Sequence, residues 1–246
     1  MHRFYADDRG VNGDMAFLCE EDARHATRVL RMKPGEGCEL FADGKRFSGE
    51  ILSLDNGEVE VRITGEMPST EARLRITLYQ GLPKADKMEL IIQKAVELGV
   101  AEIVPVVTKR TIVKAEEGKS EKKQNRWQAI AESAAKQSGR GVIPRVAPIC
   151  TWKEALAQMK DLEYNTILYE NARGMQPTTE FVKAAAEKKS IGIFVGPEGG
   201  FTEEEVAAVT EQGAECLSLG KRILRTETAG LAMLSMLMLS IECAQE

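Results

Sequence analysis

The 246-residue sequence predicts an α/β protein with a small β-rich unit, residues 1–70, and a larger unit, residues 71–246, built on a largely parallel sheet. Three observations predict it. Short apolar runs punctuated by Asp-Gly and Asn-Gly fill the first part. A polar, proline-bearing connector, Glu66-Met67-Pro68-Ser69-Thr70, follows. Beyond it, apolar runs of strand length alternate with segments of helical period, the pattern of a sheet covered on both faces. Apolar residues make up 43% and charged residues 29%, ordinary for a globular chain. The net charge is −5, so any nucleic-acid surface is a local patch.

In the first unit, residues 38–42, 47–52 and 59–63 read as strands, with Asp43-Gly44 and Asp55-Asn56-Gly57 as turns. Asp-Gly and Asn-Gly accept the positive φ that tight hairpins need. Such spacing suits a small barrel. One segment, residues 24–33, RHATRVLRMK, contains no acid. As a helix it puts Arg24, Arg28 and Arg31 on one face at i, i+4, i+7, a compact phosphate-binding stripe. The competing reading is a solvated face paired with Glu20, Glu21 and Asp22.

In the second unit, residues 74–80 read as a strand. Residues 86–98 read as a helix, because Met88, Ile91, Ile92, Ala95 and Val96 repeat at a 3.6 period, and Gly99 stops it. The spacing then predicts a strand over 102–107 and a helix over 122–137 ended by Gly139. A short strand over 146–149, a helix over 152–160, a strand over 166–169, a helix over 179–188 and a strand over 191–195 follow. Gly196-Pro197-Glu198-Gly199-Gly200 breaks that last strand. Thr202 and Glu205 form a capping box, so a helix opens at about Glu203, and Gly213 stops it. Residues 214–219 read as a strand ended by Gly220. Lys221 to Thr228 leads into a helix over 229–241, apolar nearly all round and so expected to be buried on every side, within the chain or against a second copy.

That helix is shorter than the roughly 20 residues of a membrane span, and no N-terminal apolar run suggests a signal peptide. The five cysteines are scattered with no CxxC pair, which indicates neither a zinc site nor a disulfide framework. A cytoplasmic protein with reduced thiols is expected. Two histidines, His2 and His25, are too few for a histidine triad or metal cluster, and no metal is expected.

Ligands of such sheets bind beyond the carboxyl ends of the strands. The loops at Gly196 and Gly220 lie there, and at the ends of neighbouring strands they would form one pocket. The first loop lacks both GxGxxG and GxxxxGK[ST]. A phosphate there would face Glu198 and the first-turn acids Glu203, Glu204 and Glu205. A ligand with adenine, ribose and a positive centre but no phosphate fits better, and S-adenosylmethionine matches that description. An ordinary tight turn is the competing reading. The second loop packs Lys221, Arg222, Arg225, Glu227, Thr226 and Thr228 before an apolar helix, where charge is costly unless paired. An Arg225–Glu227 pair and a Thr226 or Thr228 N-cap account for part of it. A third candidate, residues 133–140, ends a helix at Gly139 and places Arg140 just beyond.

Together, GPEGGFTEEE, LGKRILRTETA, AESAAKQSGR, KADKMELIIQKAVELGV and the N-terminal HRFYA and HATRVLRMKPGE segments resemble the bacterial ribosomal RNA small subunit methyltransferase E family over nearly the whole chain. The resemblance implies a SPOUT-class C-terminal domain with a deep trefoil knot and an N-terminal PUA-like barrel for RNA. It also implies a homodimer with the site near the subunit interface. The implied reaction is S-adenosylmethionine-dependent methylation of uridine N3 in the 16S ribosomal RNA of the small ribosomal subunit. It implies cofactor contacts from Leu168 and Glu170, and from Gly196, Pro197, Glu198, Gly199 and Gly200. The last loop would add Ser218, Leu219 and Gly220, then Ile223, Leu224 and Arg225, and finally Thr228 and Ala229.

Uridine N3 carries a weakly acidic proton and becomes nucleophilic only once that proton leaves. Arg140 and Arg225 are the candidates to stabilise the resulting anion. Arginine stays protonated, so Glu198 or Glu227 is the candidate proton acceptor. Base pairing hides the N3 edge, so the target must be unpaired or extruded. Arg3, Arg24, His25, Arg28, Arg31, Lys33 and Lys84 are the candidate RNA contacts, with Lys109, Arg110 and Lys114 as further cations. The rival readings are a SPOUT enzyme acting on another RNA or position, such as a tRNA 2′-hydroxyl, and a non-catalytic RNA-binding assembly factor. A nicotinamide or ATP enzyme ranks third, because the phosphate motifs are missing.

Overall fold

The computed structural model describes residues 1–42, 44–112 and 120–244; Asp43 of the first expected turn and Lys114 fall outside them. The described residues gather into two compact units, Met1–Glu71 with Ala135–Ile143, and Ala72–Ala134 with Pro144–Glu246. The segment Ala135–Ile143 was not expected in the first unit.

In the first unit, β1 (His2–Asn12), β2 (Met15–Leu18), β3 (Gly37–Ala42), β4 (Lys45–Ser53) and β5 (Glu60–Met67) close a barrel in the order β1-β2-β5-β4-β3. The β1–β3 pairing is parallel and the others antiparallel. β1 and β2 were not anticipated: HRFYADDRGVN is mostly polar, and only Phe4 and Tyr5 of that strand are buried. The barrel closes on Phe4, Leu18, Leu40, Ile51, Val59 and Val61. Gly49 sits at a register shift of β4, where a Cβ would lie 2.6 Å from Val61 Cγ1.

The basic segment is only partly the expected helix. α1 (Glu20–Arg24) is α-helical, His25–Val29 form a π-helical turn, and Arg31 has φ 53°. The wider π turn breaks the i, i+4, i+7 register, and the left-handed backbone takes Arg31 off the helix.

Ala135–Ile143 is anchored by buried polar contacts. The Tyr5 hydroxyl donates to the Arg140 carbonyl at 2.5 Å. The Arg140 guanidinium meets Glu71 at 2.5 Å, and Glu71 also accepts from the Gly141 and Val142 amides. Lys136 Nζ lies 2.8 Å from Glu21 and 3.1 Å from Asp22.

In the second unit the strands are β6 (Arg75–Gly81), β7 (Glu102–Val107), β8 (Arg145–Val146), β9 (Cys150–Thr151), β10 (Tyr164–Leu168), β11 (Ser190–Val195) and β12 (Glu215–Leu217). Their order is β12-β10-β11-β6-β7-β8, with β9 also on β7, and every pairing is parallel. The helices are α2 (Lys87–Glu97), α3 (Ser120–Ser138, whose residues from Ala135 on belong to the first unit), α4 (Trp152–Gln158), α5 (Gln176–Ala185), α6 (Glu203–Thr210) and α7 (Thr226–Cys243). The central strands are continuous apolar runs, as a sheet covered on both faces requires. Ile76, Leu78, Ile191, Ile193 and Phe194 are buried, and Tyr79 stacks on Phe194 at 4.4 Å.

The capping box at Thr202 and Glu205 is present with both its bonds. Three expectations change. The single short strand over 146–149 is two two-residue bridges, β8 and β9, on either side of it. β11 and β12 are not neighbours, because β10 lies between them. α7 begins at Thr226, not at residue 229, and it buries one stripe: Gly230, Met233, Leu234, Leu237, Met238 and Ile241. Leu239 is 66% exposed, so α7 is not covered on every side within the chain.

Candidate ligand cavity at the carboxyl ends of three strands

A cavity of about 980 Å³ opens beyond β10, β11 and β12 in the second unit. Three loops wall it, residues 168–175, 195–201 and 218–226, with Lys87 and Ala229 completing it. All the residues implied as cofactor contacts line it except Thr228. Arg225 and Glu198 line it as well; Glu227 and Arg140 do not. Arg140 belongs to the first unit, where Glu71 holds its guanidinium.

Of the 169–175 loop only Glu170 was expected, as a contact the resemblance implies, because the sequence does not show that β10 separates the two glycine loops. Its Gly174, at φ +83°, is the same punctuation that marked the other two loops. Lys87 escaped as well. Its one local signal is a cation in the first turn of α2, against the helix dipole.

The first loop is tightly folded. Gly200 has φ +67°, and a Cβ there would meet Glu170 Oε1 at 2.6 Å. A Cβ on Gly81, at the end of β6, would lie 2.6 Å from Pro197 Cδ. Arg110 Nη1 donates to the Gly199 carbonyl at 2.7 Å, and the Lys109 amide donates to Glu205 at 2.8 Å. Thr226 ties the first loop to the last helix: its hydroxyl donates to the Gly196 carbonyl at 2.6 Å and accepts from Gln80 Nε2 at 2.9 Å. The last loop turns at Gly220, φ +105°, where the Ser218 hydroxyl accepts from the Gly220 amide.

Lys87 bridges two carboxylates, with Nζ 2.9 Å from Glu198 Oε1 and 3.4 Å from Glu227 Oε2. The Glu227 oxygen is buried and accepts no hydrogen bond, so its pairing with Lys87 is electrostatic. Burial disfavours the charged form of Glu198, but the Lys87 ammonium and backbone amides, including that of Lys84, outweigh it and hold the carboxyl below its usual range. The simple Arg225–Glu227 pair is not formed. Arg225 is the N-cap of α7, and its exposed guanidinium has no hydrogen-bond or ion-pair partner among the described residues.

Chemically, the cavity offers close backbone approach at the glycines and apolar wall from Leu168, Val195 and Leu224. It also offers guanidinium groups with no ion-pair partner among the described residues, those of Arg222 and Arg225. The nearby helix start, α6, already carries three acids in its first turn, so it does not invite phosphate.

In the first unit a shallower depression of about 420 Å³ gathers Arg3, Arg24, His25, Arg28 and Lys136 beside Glu21, Asp22 and Val29. Arg24 pairs with Glu20 at 2.8 Å and Arg3 with Glu39 at 3.3 Å, while Arg28 has no ion-pair partner among the described residues. Arg31 and Lys33 are exposed outside this depression. Lys84 lies in the second unit.

Residues 70–238 match the RNA methyltransferase domain family, and residues 18–64 match the RNA methyltransferase PUA domain family. The chain is 36% identical to ribosomal RNA small subunit methyltransferase E of Bacillus subtilis, over 87% of this chain and 86% of that protein. It is 30% identical to the protein of the same name in Aquifex aeolicus, over 97% and 99%. The crystal structure of a ribosomal RNA small subunit methyltransferase E from Neisseria gonorrhoeae bound to S-adenosyl methionine superposes with a TM-score of 0.80. That structure is 37% identical and covers 96% of this chain and 95% of its own.

Proposed function

Because the chain belongs to the ribosomal RNA small subunit methyltransferase E family, we propose that it methylates N3 of a uridine in 16S ribosomal RNA with S-adenosylmethionine as donor. The fold is the family's, a SPOUT knotted parallel-sheet domain and a PUA-like barrel. The observation that carries the reading is the cavity walled by three strand-end loops, with glycines at 196 and 200 where an added Cβ would crowd the neighbouring loop atoms.

The cradle fits the cofactor. Gly196, Gly199 and Gly200 bring backbone close to it, and Leu168, Val195 and Leu224 supply apolar contact for adenine. When bound, the sulfonium supplies an electrophilic methyl group, and the protein's task is to bind, orient and exclude water. Arg225 stabilises the uracil anion as it forms, fixed positive charge placed where negative charge develops. Glu198 has its lone pairs engaged by Lys84 and Lys87, which makes it a poor acceptor. Glu227, with an oxygen that receives no hydrogen bond, takes the N3 proton through a water, since it stands behind the cavity wall. Arg140 in this reading supports the first unit.

The first unit would hold RNA through Arg3, Arg24, His25 and Arg28, with Arg28 the cation not already paired. A homodimer is part of the proposal. Leu90 on α2 and Leu239 on α7, helices that pack on each other, are 45% and 66% exposed and offer apolar surface for a second copy. Action in the cytoplasm is part of the same proposal; among the described residues no helix is long and apolar enough to cross a membrane.

The test is methyl transfer to isolated small ribosomal subunits and to naked 16S RNA, with the product nucleoside identified by mass spectrometry. N3-methyluridine is the expected product. A methylated ribose or another base would transfer the assignment to a different position, and no product together with no binding of S-adenosylmethionine by calorimetry would favour a non-catalytic assembly factor.

A further inference from the structure

Five cations and two carboxylates line the cavity of a chain whose net charge is −5. Lys87 is engaged by Glu198 and Glu227, and Arg225 is already assigned to the uracil. The remaining three, Arg173, Lys221 and Arg222, stand exposed on two of the three loops. Arg173 donates only to the carbonyls of Glu170 and Ala172 in its own loop, which leaves its charge uncancelled. Lys221 and Arg222 have no ion-pair partner among the described residues. Beside them the Ile223 side chain is 85% exposed, and Met175, whose Sδ would lie 3.9 Å from a Cβ on Gly220, is 41% exposed.

An uncancelled positive cluster around exposed aliphatic groups suits an anionic partner with an apolar face. The adenosyl-sulfonium cofactor is not that partner, because its one carboxylate is outweighed by its own ammonium and sulfonium and cannot neutralise three cations. A single-stranded nucleotide is: its phosphates meet the cations and its base and sugar cover the aliphatic groups.

We propose that Arg173, Lys221 and Arg222 form a phosphate clamp on the rim of the cavity that grips the RNA backbone on either side of the extruded nucleotide, with Ile223 and Met175 against the sugar and base. This rests on the RNA methyltransferase reading and adds a second RNA-contact site, inside the second unit. Extrusion costs unstacking energy. Contacts made only when the nucleotide is out, at the rim of the cavity, offset that cost where it arises.

The experiment compares wild type with Lys221→Ala/Arg222→Ala and with the charge-conserving Lys221→Arg/Arg222→Lys. Binding to naked 16S RNA is measured across a salt series, and cofactor affinity by calorimetry. Each lost contact to single-stranded phosphate should reduce the slope of log K against log salt by about 0.7, so the alanine variant should lose about 1.4. The KM for small subunits should rise about tenfold, on the order expected for two lost phosphate contacts. The charge-conserving variant should keep the wild-type slope.

An unchanged slope overturns the clamp. So does a loss of cofactor affinity with the slope unchanged, which would give the cations to the cofactor. A change of oligomeric mass with the slope unchanged overturns it too, by making the rim a contact between copies. Absence of methyl transfer by the wild type would count against the function itself, and the RNA-binding slopes would still be readable.

Discussion

Arg225 presents a guanidinium to the cavity with no hydrogen-bond or ion-pair partner among the described residues, although it caps a helix whose following residues are deeply packed. A charge left unpaired at such a place is kept for a ligand. Arg225→Ala should lower kcat/KM for RNA methylation about 10²–10³-fold, the cost of removing one preorganised donor to a developing anion. Equilibrium cofactor binding should hold. If cofactor affinity falls by the same factor as transfer, Arg225 is a binding group and the mechanism needs another cation. Lys87 makes a different prediction, about pH. Its ammonium helps to hold the Glu198 carboxyl below the ordinary value of about 4.3. A carboxyl lowered on folding contributes stability above its unfolded value and loses it as pH falls through the folded one. Wild type should therefore exceed Lys87→Met in stability at pH 7, and the difference should shrink as the solution is acidified below about 4. Urea unfolding at several pH values reads this directly; a gap that stays constant would mean that Lys87 contributes packing alone. The sequence marked Arg225 and Glu198 because each sits inside a local motif. It was silent on Lys87, whose two partners lie in segments 198 and 227, brought to it only by the sheet order.

Elements show the same division between local and non-local signals. The start of α6 was readable because both halves of its capping box lie within four residues, and both bonds form. The parallel strands were readable as buried branched runs. Apart from Glu170, which the resemblance implied, the wall formed by residues 169–175 was not, because nothing near β10 in sequence says that it inserts between β11 and β12. The basic segment was misread as one regular helix, since a π-helical turn has no sequence signature that periodicity detects. Thr226 or Thr228 was the expected N-cap. Instead Arg225 occupies that position, and the Thr226 hydroxyl joins Gly196 of the first loop to Gln80 of β6. Thr226→Val keeps the shape and deletes both bonds, leaving a carbonyl and an amide without this partner. The cost should be about 1–3 kcal/mol, seen as a lower Tm, and the KM for cofactor should rise because the glycine loop loses its tie to α7. A variant as stable as wild type would show that water replaces the hydroxyl and that the tie is dispensable.

At the scale of the whole molecule, the position of Arg140 decides how the chain divides. Sequence reading placed the boundary after residue 70 and made Arg140 a catalytic candidate of the second unit. Ala135–Ile143 instead completes the first unit. Its backbone takes the Tyr5 hydroxyl, whose pKa burial pushes up to about 12, so the phenol stays a neutral donor over the physiological range. Its Arg140 neutralises Glu71, and its Lys136 meets Glu21 and Asp22. A fragment of residues 1–71 would keep every strand of the barrel yet leave Glu71, Asp22 and the Tyr5 hydroxyl without these partners. Removing one member of a buried ion pair costs about 3–5 kcal/mol, comparable with the whole stability of a domain this small. The fragment should therefore be largely unfolded, with a poorly dispersed amide NMR spectrum. Joining residues 135–143 to its C-terminus through a flexible glycine-serine linker should restore dispersion, and Arg140→Ala in the joined form should abolish it again. A well-dispersed spectrum from residues 1–71 alone would mean that the barrel folds without this segment, and that the buried Arg140–Glu71 pair is held for the RNA chemistry after all.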